Sequence, residues 1–543
     1  MVGLPWVALR LCGLSDQLID DVKHDKDGYV PSPVVTVDGI PVLEYLQKMA
    51  IMDGSTHDPD ARFNGLFPSV SKNANYQRVD TGADAHILGL NDTTTVTLMN
   101  NSILTFNNTA FVRANLTNIT SAADLYAEFG LAGGTAPLPI DAGLDRAYDM
   151  GYKSNFTNGF PPPVVMTAGG DCAGFLPSDP SLKDTAVLAI NSFVPAIDLR
   201  NLANSTLLFD ESNKVILDFL RQAKASRRSK LILDLQGNSG GQILSLAILY
   251  FNLFPGKVFP ALSQARVHPQ LDWLLKESEK IKKNATDLTL PWQFRLFETP
   301  SSTPWPSYRE WYGPVEGHEG LGNYTRPALL KNSTLFPIPV DVTPPSSEPP
   351  FRPEDIIIVT DGECASACAV LVDALVHTHG VRTVAFGGRP IQKPMQAIGK
   401  VKGGPIGHFT GFPAINRTTA PSGVRVVPDH PPPMRIRFSP VRGSDWKDGF
   451  AFNVANMIPL NASDDAIPYQ FLYEAANCKL FFTWEMARDV TAIWKAAASA
   501  AWGQGKCVKG STTTSDGTLG GMVPYDEGVD DEYRLGAGPG SLE

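Results

Sequence analysis

From residue 184 onward, short unbroken apolar runs alternate with longer helical patterns. "TAVLAINSF", "KLILDL", "DIIIVT" and "VRTVAFGG" read as strands; residues 212–226, "GQILSLAILYFNLF" and "SACAVLVDALVHTH" read as the helices between them. Strands without polar alternation are buried on both faces, and strands joined through helices run parallel. The pattern therefore predicts an α/β fold, a parallel sheet covered on both sides by helices.

The rest of the chain is organised around that core. Residues 33–50, "PVVTVDGIPVLEYLQKMA", give a strand, an Asp-Gly turn and an amphipathic helix with Val42, Leu43, Tyr45, Leu46 and Met49 on its apolar side, the build of a small peptide-binding module. Between about 90 and 130 the Thr- and Asn-rich alternation predicts antiparallel strands, so 1–131 is expected as a β-rich N-terminal region. Residues 132–183, with "PPP" at 161–163, are expected as a linker, 184–465 as the core interrupted by an insertion at 257–350, 466–508 as C-terminal helices, and 509–543 as a disordered tail.

Composition narrows the setting. A net charge of −10 lacks the basic footprint of a nucleic-acid binder, and no run of eighteen apolar residues provides a membrane-spanning helix. Twelve of the 26 asparagines stand in N-x-S/T: Asn91, Asn100, Asn107, Asn115, Asn118, Asn155, Asn204, Asn284, Asn323, Asn332, Asn416 and Asn461. Chance predicts about three or four, so a secreted glycoprotein is expected. "MVGLPWVALRLCGLSDQ" is not a signal peptide, being broken by Pro5 and Arg10, which places the expected secretion signal upstream of Met1. The six cysteines fit either a few disulfides or buried thiols, with Cys478 and Cys507, which bracket a helical segment, as the first candidate pair. No Cys/His spacing matches a zinc site, and no cofactor is expected.

Two loops carry serines. In "LILDLQGNSGGQILSL", residues 231–246, Ser239 stands in a "GNSGG" that looks like a serine-protease signature, but it lies between a parallel strand and a helix. It is open to three readings: a nucleophile at Ser239, a structural turn, or a loop whose Gly240 and Gly241 leave backbone N–H groups free at a helix N-terminus to bind an oxyanion. In "IIIVTDGECASACAVLVDALV", residues 356–376, Ser366 falls at the first turn of a helix. There it is either an N-cap or a nucleophile at the carboxyl edge of the sheet, with the N–H of Ala367 aimed at the reacting centre. Cys364 and Cys368 are rival nucleophiles whose positions point elsewhere.

Together "LILDLQGNSGGQ", "DGECASACAVLVDAL" and "GVRTVAFGGRPIQKPMQAIG" resemble the tail-specific, or C-terminal-processing, serine protease family with its ClpP/crotonase-like core. The likeness is to fungal secreted members akin to chlamydial protease-like activity factor. "DPDARFNGLF" at 58–67, "AVLAINSF" at 186–193 and "PYQFLYEAANCKLFFT" at 468–483 extend it over roughly residues 30–508. The resemblance implies a PDZ-like module before the core, Ser366 as nucleophile, and Ala367 with Gly240 or Gly241 as the oxyanion hole.

One branch of the family uses a lysine beyond the strand after the serine helix, and Lys393 falls near that place between Pro390 and Pro394. The other branch uses a histidine from an Asp-Gly-His segment ahead of the PDZ-like module, and no such segment precedes residue 33, where His24 stands in "VKHDKDGY". Glu474 or Asp465 would be the acidic member. The remaining histidines read as loop or surface residues, with His377 and His379 as cations suited to the end of the serine helix. The expected function is a secreted serine endopeptidase acting on polypeptides. The alternatives are a catalytically inactive peptide-binding glycoprotein, because the base histidine is absent, and a thioester chemistry on the crotonase-like architecture, which a secreted chain would seldom meet.

Overall fold

The computed structural model describes residues 32–51, 56–67, 71, 92–107, 119–125, 159–194, 205–269, 271–272, 275–276, 294–316, 322–330, 347–403, 406–408, 451–453, 455–460 and 466–511. Expectations for the N-terminal 31 residues, for Asp465 and for the tail from 512 lie outside them.

The chain opens with β1 (Val34–Val37), β2 (Ile40–Pro41) and helix α1 (Val42–Ile51), followed by α2 (Pro59–Gly65), β3 (Thr93–Leu98) and β4 (Ile103–Asn107). The four strands form one antiparallel sheet in the order β2-β1-β3-β4. Val34, Val37 and Val96 from the sheet pack on Val42, Leu46 and Ala50 of α1 and on Phe63 and Leu66 at α2. Burial thus follows the predicted stripe, except that Leu43 remains 39% exposed.

The larger sheet takes β5 (Val165–Met166), β6 (Cys172–Phe175), β7 (Thr185–Ile190), then helix α3 (Ser205–Ala225), β8 (Lys230–Asp234), helix α4 (Ile243–Leu253), β9 (Ile356–Thr360), helix α5 (Ala367–His379), β10 (Arg382–Phe386), β11 (Cys478–Leu480) and helix α6 (Val490–Trp502). Its seven strands lie in the order β11-β10-β9-β8-β7-β6-β5. The five from β7 to β11 are parallel, and β5 and β6 add an antiparallel edge. Strand residues alternate between two cores. Leu188, Leu231, Leu233, Ile356 and Ile358 face α3, α4 and α5, while Val187, Ile232, Ile357, Val359 and Val384 face α6. The expected α/β core with its parallel sheet and PDZ-like partner is therefore present.

Two boundaries differ from expectation. Part of the supposed linker 132–183 supplies β5 and β6, and the supposedly helical 466–508 supplies β11. These strands are two to four residues long, too short for periodicity to reveal. Within the 257–350 insertion, Leu262–Gln264, Phe297–Glu298 and Ala328–Leu330 join Asn456–Ile458 in a second antiparallel sheet. Leu271, Leu275, Phe294 and Trp311 form a small core there. Among the described residues no helix is long and apolar enough to cross a membrane.

The face under α6 is pinned by Trp494, which is fully buried and donates its indole N–H to Asp234 Oδ2 at 2.8 Å. Truncating such a side chain to alanine costs about 3–5 kcal/mol. Cys478 and Cys507 are disulfide-bonded, as their bracketing of this helix suggested, and tie β11 to the segment beyond α6.

Candidate functional site

Strands β8 and β9 are neighbours, and each turns at its carboxyl end into a helix. The two serine loops therefore stand side by side. In the second, Ser366 adopts φ 50° and ψ −122° immediately before α5, and its side chain makes no cap bond. A non-glycine residue in that region costs about 1–3 kcal/mol, and a strained strand-to-helix turn of this kind lifts a serine hydroxyl out of the helix. Among the described residues Ser366 Oγ has no hydrogen-bond partner, which removes the N-cap reading.

The glycine loop lies directly against this elbow. A Cβ on Gly240 would stand 2.6 Å from Ala365 O, 2.7 Å from Ser366 Cβ and 2.9 Å from Ala367 N. One on Gly241 would stand 2.3 to 2.6 Å from the backbone of Phe193 and Val194. Only glycine lets the two loops approach this closely, and both positions also carry positive φ, +101° and +142°.

Buried polar side chains lock this arrangement. Asn238 Oδ1 accepts from the N–H of Gly240 at 2.8 Å, and Asn238 Nδ2 donates to Ile190 O at 2.9 Å. The Asp361 carboxylate accepts the N–H of Gly237 at 3.1 Å and that of Glu363 at 3.2 Å, joining the two loops. From α2, Asn64 Nδ2 donates to Asp361 O at 2.7 Å and Phe386 O at 2.8 Å, while its Oδ1 accepts from Gly388 N at 2.7 Å. The "DPDARFNGLF" stretch is thus a buttress of the site.

The Gly240 N–H is consumed inside its own loop. The N–H groups of Gly241 and Ala367 donate to no described residue. Ala367 is the first residue of α5, where orphan donors and the helix dipole favour an anion.

The structure brings Ser366 and Ala367 against Gly240, with Gly241 next in the chain and packed on Phe193 and Val194. It brings neither Lys393 nor Glu474 to hydrogen-bonding distance of Ser366. Lys393 sits in a turn whose Arg389 is held by buried Asp60 and whose Pro394 lies against Gly510. Ser239 lies in the same glycine loop, one residue before Gly240. Its Oγ lies 3.4 Å from Lys400 Nζ, which also reaches Glu363 Oε2 at 3.4 Å. Lys400 had no motif to announce it; it arrives because residues 398–401 bridge to 362–365.

Glu474 is engaged elsewhere. Its Oε1 pairs with His377 Nε2 at 3.0 Å and its Oε2 with Lys402 Nζ at 2.8 Å. With a rise of about 1.5 Å per residue, His377 lies roughly 16 Å along the helix axis from Ser366. Burial would raise the Glu474 carboxyl, but the His377 hydrogen bond and the Lys402 charge hold it low. Asp373, buried beside this pair with Oδ2 unpartnered, is pushed up to about 7 by burial and then by the Glu474 charge. The carboxylate and imidazole ligand atoms of Asp373, His377 and Glu474 lie within 4.8 Å of one another. The Lys402 ammonium already occupies the cation's place there, so the cluster is self-neutralised and does not suit a metal.

His379 departs from its expected role as a helix-end cation. Burial and then Lys257 lower its pKa to about 4. It is therefore neutral near pH 7, stacked on Phe254 at 3.7 Å and bonded to Tyr250 OH at 3.0 Å. Cys364 and Cys368 are bonded to each other and offer no thiolate.

The chain is similar to several known proteins. The family model of the CPAF-like PDZ domain matches residues 17–117, which includes the β1–β4 sheet. The chain is 28% identical over 531 residues to the peptidase S41 family protein phomP1 of Diaporthe leptostromiformis, covering 89% of this chain and 78% of that protein. It is 30% identical over 382 residues to the peptidase S41 family protein ustP of Aspergillus flavus, covering 65% of this chain and 76% of that one. The crystal structure of mature CPAF aligns over 87% of this chain and 77% of its own, at 13% identity and a TM-score of 0.40. With the serine elbow and its glycine loop folded side by side, and with these relatives matched over most of their length, the chain belongs to the peptidase S41 family of tail-specific serine proteases.

Proposed function

We propose that the protein is a secreted serine endopeptidase in which Ser366 Oγ attacks a peptide carbonyl. The Oγ–C bond forms as the carbonyl oxygen becomes an oxyanion. The N–H groups of Gly241 and Ala367 receive that charge, while Gly240 supplies the close approach. Collapse of the intermediate breaks the C–N bond, the leaving amine takes the proton that Ser366 Oγ gave up, and water then hydrolyses the acyl-serine to the carboxylic acid and the free Ser366 hydroxyl. Each oxyanion donor is worth about 3–4 kcal/mol in comparable sites. The single observation that carries the reading is the strained, uncapped Ser366 packed against Gly240. Ser366→Ala is expected to abolish fluorophosphonate labelling and to lower peptide cleavage by at least about 10³-fold. Labelling and cleavage at the wild-type rate in that variant would overturn the proposal.

A second reading, an inactive peptide-binding glycoprotein, is favoured by the lack of any described base at Ser366 Oγ. It predicts that wild type and Ser366→Ala retain the same peptides and that neither cleaves them. Secretion is supported by the two disulfides and by acceptor asparagines at exposed positions, including Asn100, Asn107 and Asn323. Loss of mass on enzymatic removal of N-linked glycans from the secreted protein is the expected result, and an unchanged mass would count against it.

A further inference from the structure

The Cys364–Cys368 disulfide spans four positions, and Ser366 is the residue at its centre. Both cysteines are completely buried. Between them the backbone makes its departure from ordinary geometry, φ 50° at Ser366. On the helix side the turn is held by hydrogen bonds: Ala365 O accepts from Cys368 N at 3.0 Å and Ser366 O from Val370 N at 3.0 Å. On the strand side Gly362 and Glu363 bridge to Ile398. The disulfide joins these two anchored sides across the strained residue.

Stabilising the fold is a poor explanation for a loop this short. A crosslink constrains the unfolded chain more as its loop lengthens. The Cys478–Cys507 bond, with a separation of 29 residues, suits that task better than the Cys364–Cys368 bond, with a separation of four. A closed short loop does restrict the few torsions it contains, and here those include the torsions that aim Ser366 Oγ.

We propose that the Cys364–Cys368 disulfide is a clamp that positions the nucleophile, so that acylation of Ser366 requires the closed bond. This rests on the reading of Ser366 as nucleophile. Opening the clamp takes a dithiol reductant. One of its thiolates attacks one cysteine sulfur, expelling the other cysteine as a thiolate and leaving a mixed disulfide, and the second thiolate then displaces the attacked cysteine. Two electrons and two protons pass to Cys364 and Cys368, and the reductant becomes a cyclic disulfide. Released from the clamp, Ser366 relaxes toward ordinary helical torsions and its hydroxyl turns away from Gly240 and Ala367.

The test uses the full chain with C364A/C368A, C478A/C507A and Ser366→Ala variants, measuring the fluorophosphonate labelling rate, the kcat and KM of a peptide substrate, and Tm. In C364A/C368A, labelling and kcat are expected to fall at least tenfold with KM unchanged. In C478A/C507A, Tm should fall while labelling per folded molecule stays at the wild-type rate. Wild-type labelling at Ser366 together with an equal rate in C364A/C368A overturns the clamp alone. No labelling of wild type above Ser366→Ala overturns the nucleophile reading and the clamp with it. If C364A/C368A does not fold, folded wild type is titrated with dithiothreitol and its thiols are counted by mass. Labelling should then fall in step with the opening of Cys364–Cys368 and return on reoxidation with oxidised glutathione. Full labelling of the opened form overturns the clamp.

Discussion

The two ends of α5 are built on opposite principles. At its N-terminus Ser366 is half-buried, strained and without a side-chain partner, and the first amide of the helix is free among the described residues. Farther along, buried Asp373 lies with Glu474, Lys402 and the more exposed His377 in a cluster where Glu474 meets both cations. A list of titratable residues would place the chemistry in the cluster. We propose it for the other end, since salt bridges already engage His377, Glu474 and Lys402 with one another. What distinguishes the Ser366 end is backbone strain and uncommitted donors.

The comparison breaks if the two ends respond alike to mutation. The largest difference is expected for Lys402→Met, which leaves Glu474 and His377 without the buried ammonium. Removing one partner of a buried pair costs about 3–5 kcal/mol. Thermal unfolding should show that loss, while the labelling rate of Ser366 in the folded fraction changes by less than about twofold.

Gly240→Ala should do the reverse. Its Cβ would stand 2.6 to 2.9 Å from Ala365 O, Ser366 Cβ and Ala367 N. A cost to stability of about 1–3 kcal/mol is expected, with a fall of about 10²-fold in acylation from displacement of the elbow. A burst assay reads the second quantity independently of the first, and wild-type burst kinetics would show that the close approach is not needed.

The smallest effect, read per pH unit, is a slope in stability. The Asp373 carboxyl, at about 7 in the fold against 3.8 in the unfolded chain, stays protonated in the native state where the unfolded chain is ionised. Between about pH 4 and 7 the native state therefore binds more protons, and stability falls as pH rises. His377, raised above 6.5 by Glu474 against the effect of burial, adds to the fall at the upper end. Glu474, held below 4.5, acts in the opposite sense, with stability lost as pH drops through its lowered value. Asp373→Asn should flatten the upper slope, at most about 1.4 kcal/mol per pH unit. Tm measured across that range checks it, and an unchanged slope would remove Asp373 as the source.

Much of the architecture was legible because it depends on local periodicity. Apolar runs such as "KLILDL" and "DIIIVT" read as buried parallel strands, and their pairing in the sheet is what sets the turns after them side by side. The short strands Val165–Met166 and Cys478–Leu480 escaped notice because they are defined by their neighbours. In the site, the pairing of Ser366 with the glycine loop was readable from two motifs. The division of labour within that loop was not, since it turns on Asn238 taking the Gly240 N–H.

The sequence by itself determined the alternation of strand and helix, the serine elbow with its flanking small residues, and the glycines that two loops in contact demand. Tertiary structure alone decided that Cys364 pairs with Cys368, that Glu474 faces His377 and Lys402, and that Asn64 braces Asp361 across 297 residues. The physical reason is one of range. Torsional preference and hydrophobic period act between near neighbours in the chain. The partner of a buried polar atom is chosen by which elements the packed sheet brings within about 3 Å.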